Sequence, residues 1–301
     1  MLICPKEGGR LVRHEMADGT SALHCDLCGR RYPVEHGIAD FAEGAYYDQF
    51  DESTTLSEAH LEGLRLEIDG ASRRINDFYL PLIEGTRVLD CGCGNGISVD
   101  LLQDAGFDAW GNDLSALRKW QWRERAHRDR LVVASALALP FPDGYFDAVL
   151  SSGVIEHIGV AESANPYRVA PLPDRDAQRA AFMRELLRVL APGGVLFLDC
   201  PNGAFPIDFW HGDAPGKPRF HSTREGFLPS FAEIDALVGG RAEALSPYKR
   251  LQFRQAAQHW YGRAFSAPME WLFRLMRVRG FRWLAKSALN PFLVARASRP
   301  P

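Results

Sequence analysis

The segment Asp90-Cys91-Gly92-Cys93-Gly94-Asn95-Gly96 sets three glycines at alternate positions around two cysteines, directly after an aspartate. Two chemistries use such residues. Paired thiols can hold a soft metal or exchange as a redox couple, but C-x-C alone brings too few ligands for zinc. Small residues after a strand and before a helix instead let backbone N–H groups and the helix N-terminus approach a ligand closely. On that second reading Cys91 and Cys93 are small residues lining the turn. The dinucleotide fingerprint G-x-G-x-x-G would need glycine at 97, where Ile97 stands. Asp113, 17 residues beyond Gly96, closes the next apolar segment, where a carboxylate can hold both hydroxyls of a ribose. Asp90 is placed to reach a cationic amine over the glycines.

Such residues need elements to position them. TRVLDC, DAWGND, RLVVAS, YFDAVLSS and GVLFLDC read as short strands, and the spacing predicts helices near 97–105, 117–127 and over RAAFMRELLRVL. The last of these helices meets APGG, a stop signal. Strands alternating with helices imply right-handed crossovers and a parallel sheet covered on both faces. Ahead of this lie a small ribbon-like module over 1–43 and a helical stretch over 44–84. The domain from 85 to 301 carries a helical basic insertion at 250–288. PYRVAPLPDR and HGDAPGKPRF read as loops over one end of the sheet.

The chain has 301 residues and 46% apolar composition, enough for one large domain with an appendage. Apolar runs are interrupted well before the roughly 18 residues that a membrane span needs. The start, MLICPKEGGRL, lacks a basic-then-apolar secretory pattern, so the expectation is cytoplasmic, at most peripheral to the inner face of the membrane. The net charge of −3 hides an asymmetry: 11 Lys/Arg against Glu270 alone from Lys249 onward, and 24 basic against 37 acidic residues before it. A uniform nucleic-acid binder would not show this split, and no DNA partner is expected.

VLDCGCGNG, GNDLS, LALPFPDGYFDAVLSSGVIEHI and ELLRVLAPGGVLFLDCPN, four ordered blocks over 80–200, together resemble class I S-adenosylmethionine-dependent methyltransferases. The resemblance is greatest to the ubiquinone/menaquinone-biosynthesis-like group. It implies an α/β fold: a Rossmann-like, seven-stranded, mostly parallel sheet whose last strand, LNPFLVARAS, is antiparallel, plus the N-terminal β-ribbon. It implies that Asp90, Gly92, Cys93, Gly94 and Gly96 face the methionine part of the cofactor. Asp113 would bind the ribose, Leu114 would pack on the adenine, and Ser135, Ala136 and Leu137 would border its edge. The family commonly has an acid where Ser135 stands, which leaves that contact to backbone.

Methyl transfer from a sulfonium is an in-line displacement, so the protein aligns the groups, excludes water and sometimes removes a proton. The resemblance puts Glu156 and His157 near the methyl. His157 is either a base or a brace for its loop, and Glu156 is a second candidate. Quinone O-methyltransferases that bind a divalent ion show E-x-x-E-H here. Gly153 stands in place of their first glutamate, which speaks against a catalytic metal. No N-P-P-Y follows the fourth strand, against methylation of base or amide nitrogens. Cys200-Pro201 reverses the Pro-Cys order of cytosine-methylating enzymes, so Cys200 reads as an inert thiol.

CP at 4–5, GGRL, and HCDLCGRRYPVEHGIADF at 24–41 are similar to the small zinc-ribbon module of the transfer-RNA methyltransferase activator family. That pattern implies metal ligation by Cys4, Cys25 and Cys28, with Glu7 standing where its second cysteine belongs. Either Glu7, His14 or His24 completes a four-ligand zinc site, or the ribbon stands on its hairpins without metal. In PMEWLFRLMRVRGFRWLAK, Glu270, Arg274 and Arg277 form one narrow polar stripe, so most of the helix should be buried. It can act as a lid, rest on a membrane with arginines toward anionic head groups, or cover the domain or a homodimer contact.

The reading is methyl transfer to oxygen or carbon of a small acceptor, apolar or lipid-linked. Two rivals stand beside it: an RNA methyltransferase, against which the acidic domain speaks, and a non-catalytic scaffold at a membrane. Tyr167, Arg168, Trp210, His211 and His221 are candidate walls of the acceptor pocket.

Overall fold

A computed structural model describes residues 1–15, 20–51, 53, 58–164, 166–213, 217–251 and 260–300. The chain divides into two compact units, one of Met1–Leu150, Arg184–Leu196 and Arg299–Pro301, the other of Ser151–Met183 and Phe197–Ser298.

In the first unit, β1 (Leu11–Glu15), β2 (Ser21–Cys25), β3 (Arg31–Glu35) and β4 (Ile38–Asp40) form an antiparallel ribbon. Helix α1 (Glu58–Ser72) runs into a π-helical turn, Arg73–Tyr79, and a 3-10 turn, Leu80–Leu82. Then follow β5 (Arg87–Cys91), α2 (Ile97–Asp104), β6 (Asp108–Asp113), α3 (Ala116–Trp122), β7 (Leu131–Val133) and β8 (Phe146–Ser152). The strand order is β1-β2-β3-β4-β7-β6-β5-β8. Pairs β5–β6, β6–β7 and β5–β8 are parallel, as crossover helices require. The ribbon continues this sheet: β4 pairs with β7 in parallel, Ala39 opposite Val132 and Asp40 opposite Val133. Buried Val88, Leu89, Ala148, Val149 and Leu150 make the near-continuous apolar runs of strands covered on both faces.

The second unit opens with a hairpin, β9 (Val160–Ala164) and β10 (Tyr167–Pro171), where the composition predicts a loop. Helix α4 (Arg175–Val189) passes directly into β11 (Leu190–Pro201), a strand that, like β8, has residues in both units. The helix stops at Val189, just ahead of the APGG expected to end it; those residues then open the strand, and Gly193, at φ 76°, turns within β11. A second hairpin pairs β12 (Ile207–Asp208) with β13 (Arg219–Phe220). Next come α5 (Phe231–Leu237), β14 (Glu243–Ala244), α6 (Trp260–Leu275), a 3-10 helix over Arg279–Lys286 and β15 (Phe292–Ser298). β15 stands between β11 and β14 and is antiparallel to β14. Apart from the ribbon and the two hairpins, the strands are the seven of a Rossmann-like, mostly parallel arrangement.

The basic segment differs from its expectation. Its α-helix ends at Leu275, and only Phe273, Met276, Leu284 and Ala285 form a buried cluster, backed by Tyr248, Leu251 and Met269. Trp271 is 65% exposed and Trp283 57%. Part of the apolar circumference, around Trp271, Val278 and Trp283, is therefore not covered.

Candidate functional site

The glycine loop joins β5 to α2 and is held by β6: Gly92 and Cys93 N–H both donate to Asn112 O, at 2.9 and 3.0 Å. Trp122 Nε1 donates to Gly94 O at 2.8 Å. Gly94 and Gly96 both have left-handed backbone, but for different reasons. A Cβ on Gly96 would lie 2.8 Å from Leu131 Cδ1 and 3.1 Å from Trp122 Cδ1, so packing requires glycine. Among the described residues, a Cβ on Gly94 would meet only Arg118 Nε, at 4.0 Å; the space over this residue is open to a ligand. Cys91 and Cys93 are buried, and a Cβ on Gly111 would fall 2.7 Å from Cys93 Sγ. Burial pushes both thiols well above the usual range, so they are packing groups.

Asp113 caps the tip of β6. Its Oδ2 accepts from Gly94 N–H at 3.0 Å and its Oδ1 from Leu114 N–H at 2.8 Å, tying two strand ends together. Burial pushes this carboxyl up to about 6, against Arg118 and the two amide donors that hold it down. Asp90 is fully buried, and the cation it meets is the chain's own Arg74, whose Nη2 donates to Oδ2 at 2.8 Å. Ser98 Oγ donates to the same oxygen. Neither Arg74, on the π-helical turn, nor Glu67 on α1 carries a sequence signal. Yet Glu67 accepts from Asn95 Nδ2 at 3.1 Å and from both terminal nitrogens of Arg118 at 2.9 Å, clamping the loop from α1. Asp48 caps α3 through Ala116 N–H at 2.8 Å. Leu114, Ser135, Ala136 and Leu137 are half-buried beside these strand ends; Ser135 Oγ is turned to Leu137 N–H at 3.2 Å.

In the second unit, Glu156 and His157 lie on a 3-10 turn after β8, and Arg179 fastens that turn through Glu156 O and Ile158 O. His157 Nδ1 is 2.5 Å from Glu162 Oε1 on β9, and Tyr167 OH donates to Glu162 Oε2 at 2.6 Å from β10. His211 Nδ1 faces Asp208 Oδ2 on β12 at 3.0 Å. With each Nδ1 on a carboxylate, Nε2 is left over on both rings. Burial pushes His157 down, but Glu162, Glu156 and Asp208 outweigh it and hold the imidazole above its ordinary value. Burial pushes the Glu156 carboxyl up, and its Oε2 has no hydrogen-bond partner among the described residues. Donor atoms of Glu156, His157 and His211 converge within 4.8 Å, enough to relay a proton or hold a cation. Phe227 walls the cluster, 4.8 Å from His211 and 5.7 Å from His157 between ring centres. Of the other wall candidates, Tyr167 stacks on His211 at 6.1 Å, Trp210 packs on Phe292 at 5.0 Å, Arg168 is exposed and His221 half-buried. Cys200, fully buried, is pushed up by burial, the behaviour of an inert thiol.

In the ribbon, the sulfurs of Cys4, Cys25 and Cys28 lie within 4.8 Å of one another, and no carboxylate or imidazole of the described residues joins them. Glu7, His14 and His24 are thus not gathered as a fourth ligand; His14 instead stacks on His24 at 4.3 Å. A Cβ on Gly9 would fall 2.7 Å from Cys25 Sγ, so glycine lets the strand pass the knuckle. Burial raises the Cys4 thiol, but Tyr32 OH and two backbone amides outweigh it and bring it down to about 7.

The family described as "Methyltransferase domain" matches residues 89–198. The 2-methyl-6-phytyl-1,4-hydroquinone methyltransferase of Synechocystis is 34% identical over 51% of this chain and 44% of its own. The 27-O-demethylrifamycin SV methyltransferase of Amycolatopsis mediterranei is 34% identical over 72% of this chain and 74% of its own. The chain spans about half the length of the first curated relatives it matches, 44 and 53%. A crystal structure of an S-adenosylmethionine-dependent methyltransferase from Mesorhizobium loti aligns with 77% of this chain and all of its own, at 17% identity and TM-score 0.46.

Proposed function

This chain belongs to the S-adenosylmethionine-dependent methyltransferases, and from that we propose that it methylates an oxygen or carbon of a small apolar acceptor. One observation carries the reading: the open space over Gly94 beside the carboxylate of Asp113, with a pKa of about 6 that leaves it ionised at neutral pH. These residues fit the cofactor. Backbone around Gly92, Cys93, Gly94 and Gly96 would hold its methionine portion, Asp113 the ribose hydroxyls, Leu114 the adenine face, and Ser135–Leu137 the adenine edge. Asp90, held by Arg74 and Ser98, stiffens the loop in place of meeting the cofactor's amine. When bound, the cofactor supplies an electrophilic methyl group on sulfonium.

The chain's own groups supply the proton chemistry. His157 Nε2 accepts the acceptor's proton, and Glu162 on Nδ1 fixes the tautomer and stabilises the imidazolium. Phe227 packs against the ring of that base and Tyr167 OH holds Glu162 in place, while the imidazole itself stays 41% exposed, open to an acceptor. The relatives' names, a hydroquinone and a demethylrifamycin methyltransferase, support an apolar hydroxyl-bearing acceptor. Transfer of labelled methyl to a panel of quinols and to fractionated extract tests the proposal. Product formed by wild type and lost in His157→Ala supports it; cofactor binding without transfer to any fraction favours the scaffold reading.

The ribbon completes the proposal. Cys4, Cys25 and Cys28 would hold zinc through their thiolates, and no carboxylate or imidazole of the described residues joins them. Metal analysis of wild type and Cys28→Ser decides this: about one zinc against none, or none in either.

A further inference from the structure

We propose that the outer face of α6 and the 3-10 helix after it is a docking surface for an anionic lipid bilayer. This goes beyond the methyl-transfer reading and stands without it. At 100° per residue, Trp260, Ala264, Ala267, Trp271 and Arg274 share one stripe of α6, opposite the inward Phe265, Met269, Leu272, Phe273 and Met276. Trp260 is 74% exposed. Past the helix end Val278, Phe281, Trp283 and Leu289 are exposed as well. In the 3-10 helix, residues three apart eclipse, which sets Arg279 over Arg282 and Trp283 over Lys286. The buried cluster of Phe273, Met276, Leu284 and Ala285 fixes both pieces from inside, so the outward groups are presented on a firm base.

The chemistry selects the occupant. Residues 260–289 hold six cations and one acid. Glu270 is paired with Arg274 at 2.8 Å, while Arg279 and Arg282 have no acidic partner within ion-pair reach among the described residues. Indoles and a phenyl ring interleaved with arginines suit the head-group boundary, where rings sit at the interface and guanidinium groups reach lipid phosphate. A protein partner would instead have to bring a carboxylate to each of those arginines, an outcome that the vesicle assay separates. Val278 and Leu289 have no stacking role against single-stranded RNA. Among the described residues no helix is long and apolar enough to cross a membrane, so the contact lies in the interfacial plane.

Co-sedimentation of the full chain with phosphatidylcholine vesicles, with and without phosphatidylglycerol, tests this. The chain should sediment with the anionic vesicles only, release at high salt, and show tryptophan emission quenched by brominated lipid. Arg279→Glu with Arg282→Glu should weaken partitioning by roughly 25-fold or more, since each cation near an anionic surface contributes about fivefold. Trp271→Ser with Trp283→Ser should reduce the quenching to what Trp260 contributes, while charge attraction persists. All four side chains are exposed, so melting temperature and cofactor binding stay at wild-type values in both variants. No sedimentation, sedimentation indifferent to both pairs, dimerisation lost in the tryptophan pair, or tighter binding to single-stranded RNA would each overturn the proposal.

Discussion

Gly94 and Gly96 stand two residues apart in the same loop with the same handedness of backbone, φ 55° and 78°, yet they should fail in opposite ways. Gly94→Ala places a methyl in open space, 4.0 Å from Arg118 Nε, so its stability cost is the left-handed backbone alone. That is about 1 kcal/mol, or about 2–4 °C in melting temperature for a domain this size. Gly96→Ala carries the same backbone cost and also drives a methyl to 2.8 Å from Leu131 Cδ1. Overpacking adds about 1–3 kcal/mol, so the total is about 2–4 kcal/mol. Binding should rank the other way per unit of stability lost. The Gly94 methyl occupies the space assigned to the cofactor and should weaken its affinity by roughly tenfold or more, about 1.4 kcal/mol. Urea denaturation gives the stabilities and calorimetric titration with S-adenosylmethionine the affinities. Wild-type affinity in Gly94→Ala, or equal destabilisation by both substitutions, would refute the assignment of the open space.

Three further outcomes follow from the geometry. Arg74→Met strands the fully buried Asp90 carboxylate and should cost about 3–5 kcal/mol, most of it recovered in the Arg74→Met/Asp90→Asn double variant; denaturant midpoints measure both. Glu162→Gln removes the carboxylate that holds His157 above its ordinary value, so the acidic limb of the rate profile should move to lower pH. Asp113 carries its charge only above about pH 6, so cofactor affinity should fall as pH drops through that value. Because burial raises this carboxyl in the folded state, its ionisation costs stability, fully above about 6 and not at all below the unfolded value near 4. Asp113→Asn should therefore lose affinity at neutral pH and melt no lower than wild type.

The strand-glycine-helix unit was legible because its cause is local: apolar runs ending in Asp90 and Asp113, with glycines between them that any close backbone approach demands. The groups that hold that unit were not. Arg74 and Glu67 come from a helix outside the apolar alternation, and nothing in SRRIND or LRLEI marks the one arginine or glutamate that reaches back 16 or 28 residues. The histidine cluster shows the same limit. His157 sits in a recognisable block, but Glu162, Asp208 and His211 arrive on short hairpins whose pairing no periodicity announces. Helix α4 kept its periodicity and stops just ahead of APGG, but nothing in APGG marked it as the opening of β11. The basic segment misled through its own apolarity: a helix apolar nearly all round reads as buried, although Trp271 and Trp283 point outward.

The account rests on a carboxylate at the tip of β6 receiving a nucleoside over an open glycine. Calorimetric titration of S-adenosylmethionine into wild type and Asp113→Ala, at pH 7.5 and at about pH 5, measures this directly. One-to-one binding by wild type at the higher pH, weakened at the lower, and lost at both in Asp113→Ala is the predicted result. A wild type that takes up no S-adenosylmethionine, or an Asp113→Ala chain that binds it as well as wild type, would contradict it.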